Sequence, residues 1–161
     1  RKMAGEYILL NDTTNGHQFY LEAIQLNKQI NEIKEIVENY SDMAFYYAGI
    51  GYYIQALAFC QEGLKWCESS KDSSSLKNIL FQMGRIHFYT GDYKLSLSKF
   101  EQSLLLSKQL NLESDQALIL SKIGMIYVEL KNYLLAQDYF IQSKNIFEKI
   151  CVYIKVIIFT K

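Results

Sequence analysis

Apolar residues return along the chain at the three- and four-residue spacing of helix faces, and the whole arrangement then returns every 40 residues. Three short segments carry the register: Gly51-Tyr52-Tyr53-Ile54-Gln55-Ala56, Gly91-Asp92-Tyr93-Lys94-Leu95-Ser96 and Lys131-Asn132-Tyr133-Leu134-Leu135-Ala136. Ahead of each stands an apolar residue followed by a small one: Met43-Ala44, Met83-Gly84 and Ile123-Gly124. Tyr47, His87 and Tyr127 come next, and beyond the tyrosine segments lie Cys60, Phe100 and Phe140, then Gly63, Ser103 and Ser143. A fixed period in this range predicts helical hairpins stacked into a solenoid.

Each recurring residue has a mechanical reason. A small side chain on the first helix of a hairpin lets the second approach, and an aromatic one turn along fills the adjoining space. Gly51, Gly91 and Asn132 fall at or near the ends of first helices, where a left-handed turn residue is wanted. The spacing puts the extra length of the repeat at its junctions, residues 69–75 and 109–115. The serine-rich run 69–75 reads as a loop in which Ser73, Ser74 or Ser75 caps the next helix.

With these residues in view, Leu80, Met83-Gly84, His87, Ser96 and Phe100 resemble the tetratricopeptide signature. So do Leu120, Ile123-Gly124, Tyr127, Ala136 and Phe140. Tyr40, Met43-Ala44, Tyr47, Ala56 and Cys60 form a third, looser copy; Glu68, Lys108 and Glu148 replace the family's closing proline. The resemblance covers roughly residues 37–150. It implies an all-α fold, a right-handed α-solenoid of antiparallel helix hairpins, with repeats at 37–76, 77–116 and 117–150. The long period, and the aromatic run Tyr46-Tyr47-Ala48-Gly49-Ile50-Gly51, are also similar to the signalling-peptide receptors of Gram-positive bacteria, the Rap phosphatases and PlcR-like regulators.

The two ends fit less well. Residues 1–36 read as a degenerate N-terminal hairpin, with a turn at 11–16, or as one long helix broken near Asn31. Tyr20-Leu21-Glu22-Ala23 mimics the start of a second helix but falls out of period against Ala56. Residues 151–161 are apolar and β-branched, a poor exposed helix. The register makes them the start of a further repeat opening near Val156, in a fragment of a longer solenoid. The other reading is a tail that packs on a partner, such as a second copy in a homodimer.

Composition removes several function classes. Seventeen basic and seventeen acidic residues cancel, so no global field favours nucleic acid or an anionic membrane. No apolar run is long enough to span a bilayer, and no signal-peptide pattern opens the chain, which points to a cytoplasmic protein. Cys60, Cys67 and Cys151 are an odd count without metal-ligand spacing and read as small apolar residues. His87 occupies the repeat's tyrosine position, and His17 has no obvious partner. No phosphate loop, nucleophile elbow or metalloprotease helix occurs, so neither catalysis nor a cofactor nor a metal is expected.

What remains is binding. In the solenoid that the resemblance implies, first helices line a concave face. Its candidate peptide-binding residues are Asn78, Phe81, Gln82, Arg85, Phe88 and Tyr89 from the second copy, and Lys122, Met125 and Glu129 from the third. Leu118, Ser121 and Val128 lie on the same stripe, and the first copy offers Glu38, Ser41, Asp42, Phe45 and Ala48. Aromatic and methionine side chains bury a ligand's apolar groups at low entropic cost, and Arg85 or Lys122 can hold a carboxylate or carbonyl. Phe81, Phe88 and Met125 are equally suited to packing against neighbouring helices, and Arg85 to pairing with a nearby acid. The resemblance also excludes: the basic and asparagine clamp of tetratricopeptide co-chaperones would need the places held by Ser41, Phe45, Phe81, Arg85, Ser121 and Met125. The expected function is a scaffold for a peptide or protein partner, such as the sensing part of a peptide-responsive regulator. The alternative is an assembly module acting through the convex face or the C-terminal tail.

Overall fold

The computed structural model describes the backbone of residues 13–30 and 32–159, and side chains from 17 to 152 within that range. Every regular element among them is a helix: α1 Thr13–Gln29, α2 Ile33–Gly49, α3 Tyr53–Ser70, α4 Ser73–Tyr89, α5 Tyr93–Gln109, α6 Glu113–Glu129 and α7 Tyr133–Phe159. Helices α2–α3, α4–α5 and α6–α7 pack as antiparallel hairpins, and each hairpin stacks on the next, giving the expected all-α solenoid.

The extra length of the repeat is helical: second helices run on to Ser70 and Gln109, and the next first helices already begin at Ser73 and Glu113, within the expected junctions. Most helices have 17 residues and most turns have three, which accounts for the 40-residue step from Ile33 to Ser73 to Glu113. These first helices begin four residues ahead of the boundaries that the signature suggests. The serine run is accordingly helical on both sides of a two-residue break, Lys71 and Asp72. Asp72, and none of the serines, caps α4: its carboxylate accepts from the Ser74 amide at 2.9 Å and from the Ser75 hydroxyl at 2.6 Å. The Ser75 hydrogen bond holds the Asp72 carboxyl below its usual range, against a smaller opposing effect of burial.

The three-residue turns close alike, on a left-handed residue and an amide that reaches five residues back. Tyr52, Asp92, Leu112 and Asn132 donate to Tyr47, His87, Ser107 and Tyr127 at 2.8–2.9 Å. Gly51 and Gly91 take the left-handed position with φ of 85° and 78°. In the third hairpin that position belongs to Lys131, with φ 58°, one residue before the expected Asn132. Asn132 caps α7 instead, accepting from the Leu135 amide at 3.3 Å.

Both ends differ from expectation. Helix α1 stands 40 residues ahead of α3, so Gly16, Tyr20 and Ala23 match Ala56, Cys60 and Gly63. The register therefore reaches further back than residue 37. The mismatch arises from pairing Ala23 with Ala56, because Thr13 stands where later second helices begin with tyrosine. The first helix of the expected N-terminal hairpin lies outside the described residues. The expected turn at 11–16 is instead helical from Thr13 onward, and the chain breaks near Asn31, between the end of α1 at Gln29 and the start of α2 at Ile33. At the other end α7 runs unbroken to Phe159, past the junction where the register would place a turn. The left-handed position held by Lys71 and Asn111 falls there on Cys151, followed by β-branched Val152, and neither residue favours that conformation.

Close approach within a hairpin depends on one contact. A Cβ on Gly84 would lie 2.8 Å from Cδ1 of Phe100, and one on Gly124 would lie 2.8 Å from Cε1 of Phe140. Hydroxyls fasten the same surfaces: Ser96 donates to the Gly84 carbonyl at 2.7 Å, Ser103 to Lys77 at 3.0 Å and Ser143 to Ala117 at 2.6 Å, all buried. These bonds give the polar small residues of the repeat partners in the core.

Candidate functional site

Helices α4 and α6 lie side by side as first helices of adjacent hairpins, and the seam between them carries two clefts. The first, of about 40 Å³, is lined by Arg85, Phe88, Tyr89, Phe100, Lys122 and Met125. It has room for the end of one side chain, far less than a site that buries a whole small molecule. The second, of about 160 Å³, lies toward the helix starts and is lined by Lys77, Asn78, Phe81, Ser103, Asp115, Leu118 and Ile119. Seven of the nine candidate residues line one cleft or the other.

Arg85 is held by rings, not by an acid. Its guanidinium lies 4.5 Å from the ring centre of Phe45 on α2 and 5.9 Å from that of Tyr89, and it donates to Gln82 Oε1 at 2.9 Å. Gln82 lines neither cleft, and its side-chain oxygen holds the Arg85 guanidinium. Tyr89 in turn stacks on Tyr53 of α3, with centres 6.1 Å apart and planes 20° apart. Lys122 Nζ reaches only the Met125 sulfur, at 3.9 Å. Among the described residues no carboxylate forms an ion pair with either cation.

Phe81 and Phe88 divide their surface between core and cleft. Phe81 meets Phe100 edge-on at 5.5 Å, and Phe88 meets Tyr93 at 5.9 Å. Both are half-buried, whereas Met125 and Tyr89 are exposed. Glu129 lies outside both clefts, and its carboxylate accepts from the Tyr93 hydroxyl at 3.5 Å. The first copy contributes less than its stripe promised: Ser41 and Ala48 are buried, while Phe45 stays 53% exposed. The cause is direct contact of α2 with α4, which covers part of that face.

Two partnerships were not foreseen. Lys77, buried, pairs across repeats with Asp115 and forms the floor of the second cleft. Its signal was a polar break in register, since Val37 and Ala117 occupy the equivalent positions. His17 has a partner after all, the Tyr47 hydroxyl, 2.9 Å from its Nδ1. His87 is half-buried, and burial pulls its pKa below the usual histidine value, as suits a packed residue.

Burial pushes the Cys60 thiol up to about 12 and the Cys67 thiol to about 11, so both stay protonated and poorly nucleophilic at neutral pH. Among the described residues no three His, Cys, Asp or Glu side chains are grouped to hold a metal ion. None of the described helices is long and apolar enough to cross a membrane.

Comparison with known proteins places this geometry. Residues 117–149 match the tetratricopeptide repeat family. No curated protein matches the chain significantly by sequence. Solved structures do match in fold. Aspartyl phosphate phosphatase F from Bacillus subtilis superposes with a TM-score of 0.83 at 16% identity, over 92% of this chain and 39% of its own. A signal transduction ATPase with numerous domains from Pyrococcus horikoshii, which carries a tetratricopeptide repeat sensor, gives 0.79 at 19% identity, over 95% and 24%. BtubC from P. vanneervenii gives 0.70 at 18% identity, over 82% and 56%. The chain therefore spans from about a quarter to just over half the length of these structures. Residues 117–149 thus carry a tetratricopeptide repeat, and the described chain as a whole has the helical-repeat fold of these structures, that of the Bacillus phosphatase among them.

Proposed function

We propose that the seam between α4 and α6 holds an extended segment of a peptide or protein partner, as the sensing part of a larger regulator. The observation that carries this is the first cleft: two cations without an acidic partner among the described residues flank a surface of Phe88, Tyr89 and Met125. Apolar side chains of the ligand bury against the rings and the thioether. Arg85, its faces covered by Phe45 and Tyr89, keeps its edge for a carbonyl or carboxylate. The role is non-catalytic and belongs in the cytoplasm, with neither nucleic acid nor membrane as partner of this segment. A sensor is what the Pyrococcus protein's description assigns to its own tetratricopeptide repeats.

Selection of randomised heptapeptides on the immobilised chain tests this reading. Enriched sequences are expected to bind the wild type and to lose roughly tenfold or more in affinity on Arg85→Ala or Met125→Ala. The helical circular dichroism should stay unchanged. Failure to enrich any sequence, or binding indifferent to both substitutions, would count against the seam.

A second reading has its own observation. On α7 the outward residues Phe140, Phe147 and Val152 are exposed, although the equivalent face of α5 is covered by α6. Under this reading the chain is an assembly module that pairs through α7, including as a homodimer. Removing residues 151–161 would then lower the mass measured by light scattering, and Arg85→Ala would change nothing.

A further inference from the structure

The two clefts of the α4–α6 seam differ in charge. In the second, the lining cation is buried Lys77, already paired with Asp115. Phe81, Leu118 and Ile119 make up its apolar wall, so this cleft is close to neutral. At about 160 Å³ it suits one large apolar side chain, because a cavity of about 150 Å³ with similar walls holds benzene.

The first cleft is lined by both Arg85 and Lys122, and among the described residues no carboxylate pairs with either. Glu129, one turn beyond Met125, accepts instead from the Tyr93 hydroxyl, outside the cleft. Two like charges on a space of about 40 Å³ repel each other, and an anion between them turns that repulsion into attraction. The space admits a carboxylate but not a ring.

Phe81, Arg85 and Phe88 fall on one face of α4, and Leu118, Lys122 and Met125 on one face of α6. Helix α2 lies directly against α4, whereas α4 and α6 approach less closely, which leaves the stripe between them open. Seven residues separate Phe81 from Phe88, and Leu118 from Met125, a distance of roughly 10 Å along the helices. An extended chain covers that distance in about three residues, and in a polyproline-like conformation side chains three apart share a side.

We propose, resting on the reading of this seam as the peptide site, that its ligand is an acidic peptide of defined spacing. A large apolar side chain enters the second cleft. Three positions away an Asp or Glu carboxylate enters the first and bridges Arg85 and Lys122. The pairing of Lys77 with Asp115 keeps the second cleft from competing for the acid.

Selection on the full chain tests the spacing and the charge. Randomised heptapeptides are offered in parallel as N-acetylated amides, which lack a terminal carboxylate, and as free acids. The amides are expected to enrich Asp or Glu three positions from Leu, Ile, Met or Phe. Replacing that acid by its amide should weaken binding to the wild type about tenfold or more, and hardly at all to Lys122→Glu, which supplies a carboxylate to Arg85 from the chain itself. Leu118→Lys, at an exposed position, should lose the apolar preference and keep the acidic one. Selected sequences that depend on Arg85 and Met125 but show no acidic preference would overturn this proposal and leave the seam standing. So would a need for the free C-terminus alone, or an acidic preference that survives Lys122→Glu. Sequences indifferent to Arg85→Ala and Met125→Ala, or no enrichment at all, would remove the seam and this proposal together.

Discussion

In the hairpin α4–α5 the Phe100 ring occupies the space beside Gly84, and it is 1% exposed. In α2–α3 the same two positions hold Ala44 and Cys60, both fully buried. The two hairpins have nearly the same helix lengths and turn geometry, so what they share is a combined volume, not particular residues. A methyl on the first helix is offset by a small side chain on the second, and a bare glycine by a ring. The third hairpin repeats the glycine–ring solution with Gly124 and Phe140. Its ring is 38% exposed because no following first helix covers it among the described residues.

Substitutions can break this comparison. The largest effect should come from Phe100→Ala, which empties the space beside Gly84 and is expected to cost about 3–5 kcal/mol in urea unfolding. Cys60→Ala, at the equivalent place, should cost only about 1 kcal/mol. Equal losses would mean that the two hairpins are not filled by the same rule. Next comes Gly84→Ala, which drives a methyl into the Phe100 ring and should cost about 1–3 kcal/mol. Adding Phe100→Cys recreates the Ala44–Cys60 pair, so the double variant should be more stable than the sum of the two single losses by about 1 kcal/mol or more. Strict additivity would deny the compensation.

The smallest effect sharpens a third correspondence, between Tyr47, His87 and Tyr127. Burial lowers the pKa of His87 from 6.5, with Lys99 acting in the same direction and Asp92 opposing. The unfolded chain therefore takes up a proton at higher pH than the folded one does. Stability from this residue is full above pH 6.5 and falls as the pH drops through the folded pKa. The residue is half-exposed, so the slope will be shallow. His87→Tyr should remove this part of the decline between about pH 7 and 5 in thermal unfolding. An unchanged profile would assign the decline to other groups.

Much of this architecture was legible in the sequence, because a solenoid writes its period into the chain. Gly84 and Phe100, or Gly124 and Phe140, announce their contact by recurring together. The missed features are those that periodicity does not encode. Serine is as acceptable in a helix's first turn as in a loop, so the run at 69–75 concealed two helix ends, and Asp72 was passed over as the cap. The helical start of α1 was hidden by Thr13, which breaks the tyrosine pattern while Gly16, Tyr20 and Ala23 keep the register. Of the seam, the stripe of exposed positions was readable, and with it Arg85, Lys122 and Met125. That Arg85 sits between Phe45 and Tyr89, and that Lys77 reaches Asp115, depends on how neighbouring hairpins face each other in space. Within one copy, spacing carries no such information.

The central functional claim is that the α4–α6 seam is the binding surface. Hydrogen exchange of the wild-type chain, with and without a peptide enriched in the selection described above, tests it most directly. The account predicts slowed exchange confined to α4 and α6, residues 73–89 and 113–129, with α7 unchanged. Protection centred on α7, with α4 and α6 untouched, would contradict it and transfer the function to the exposed face of the last helix.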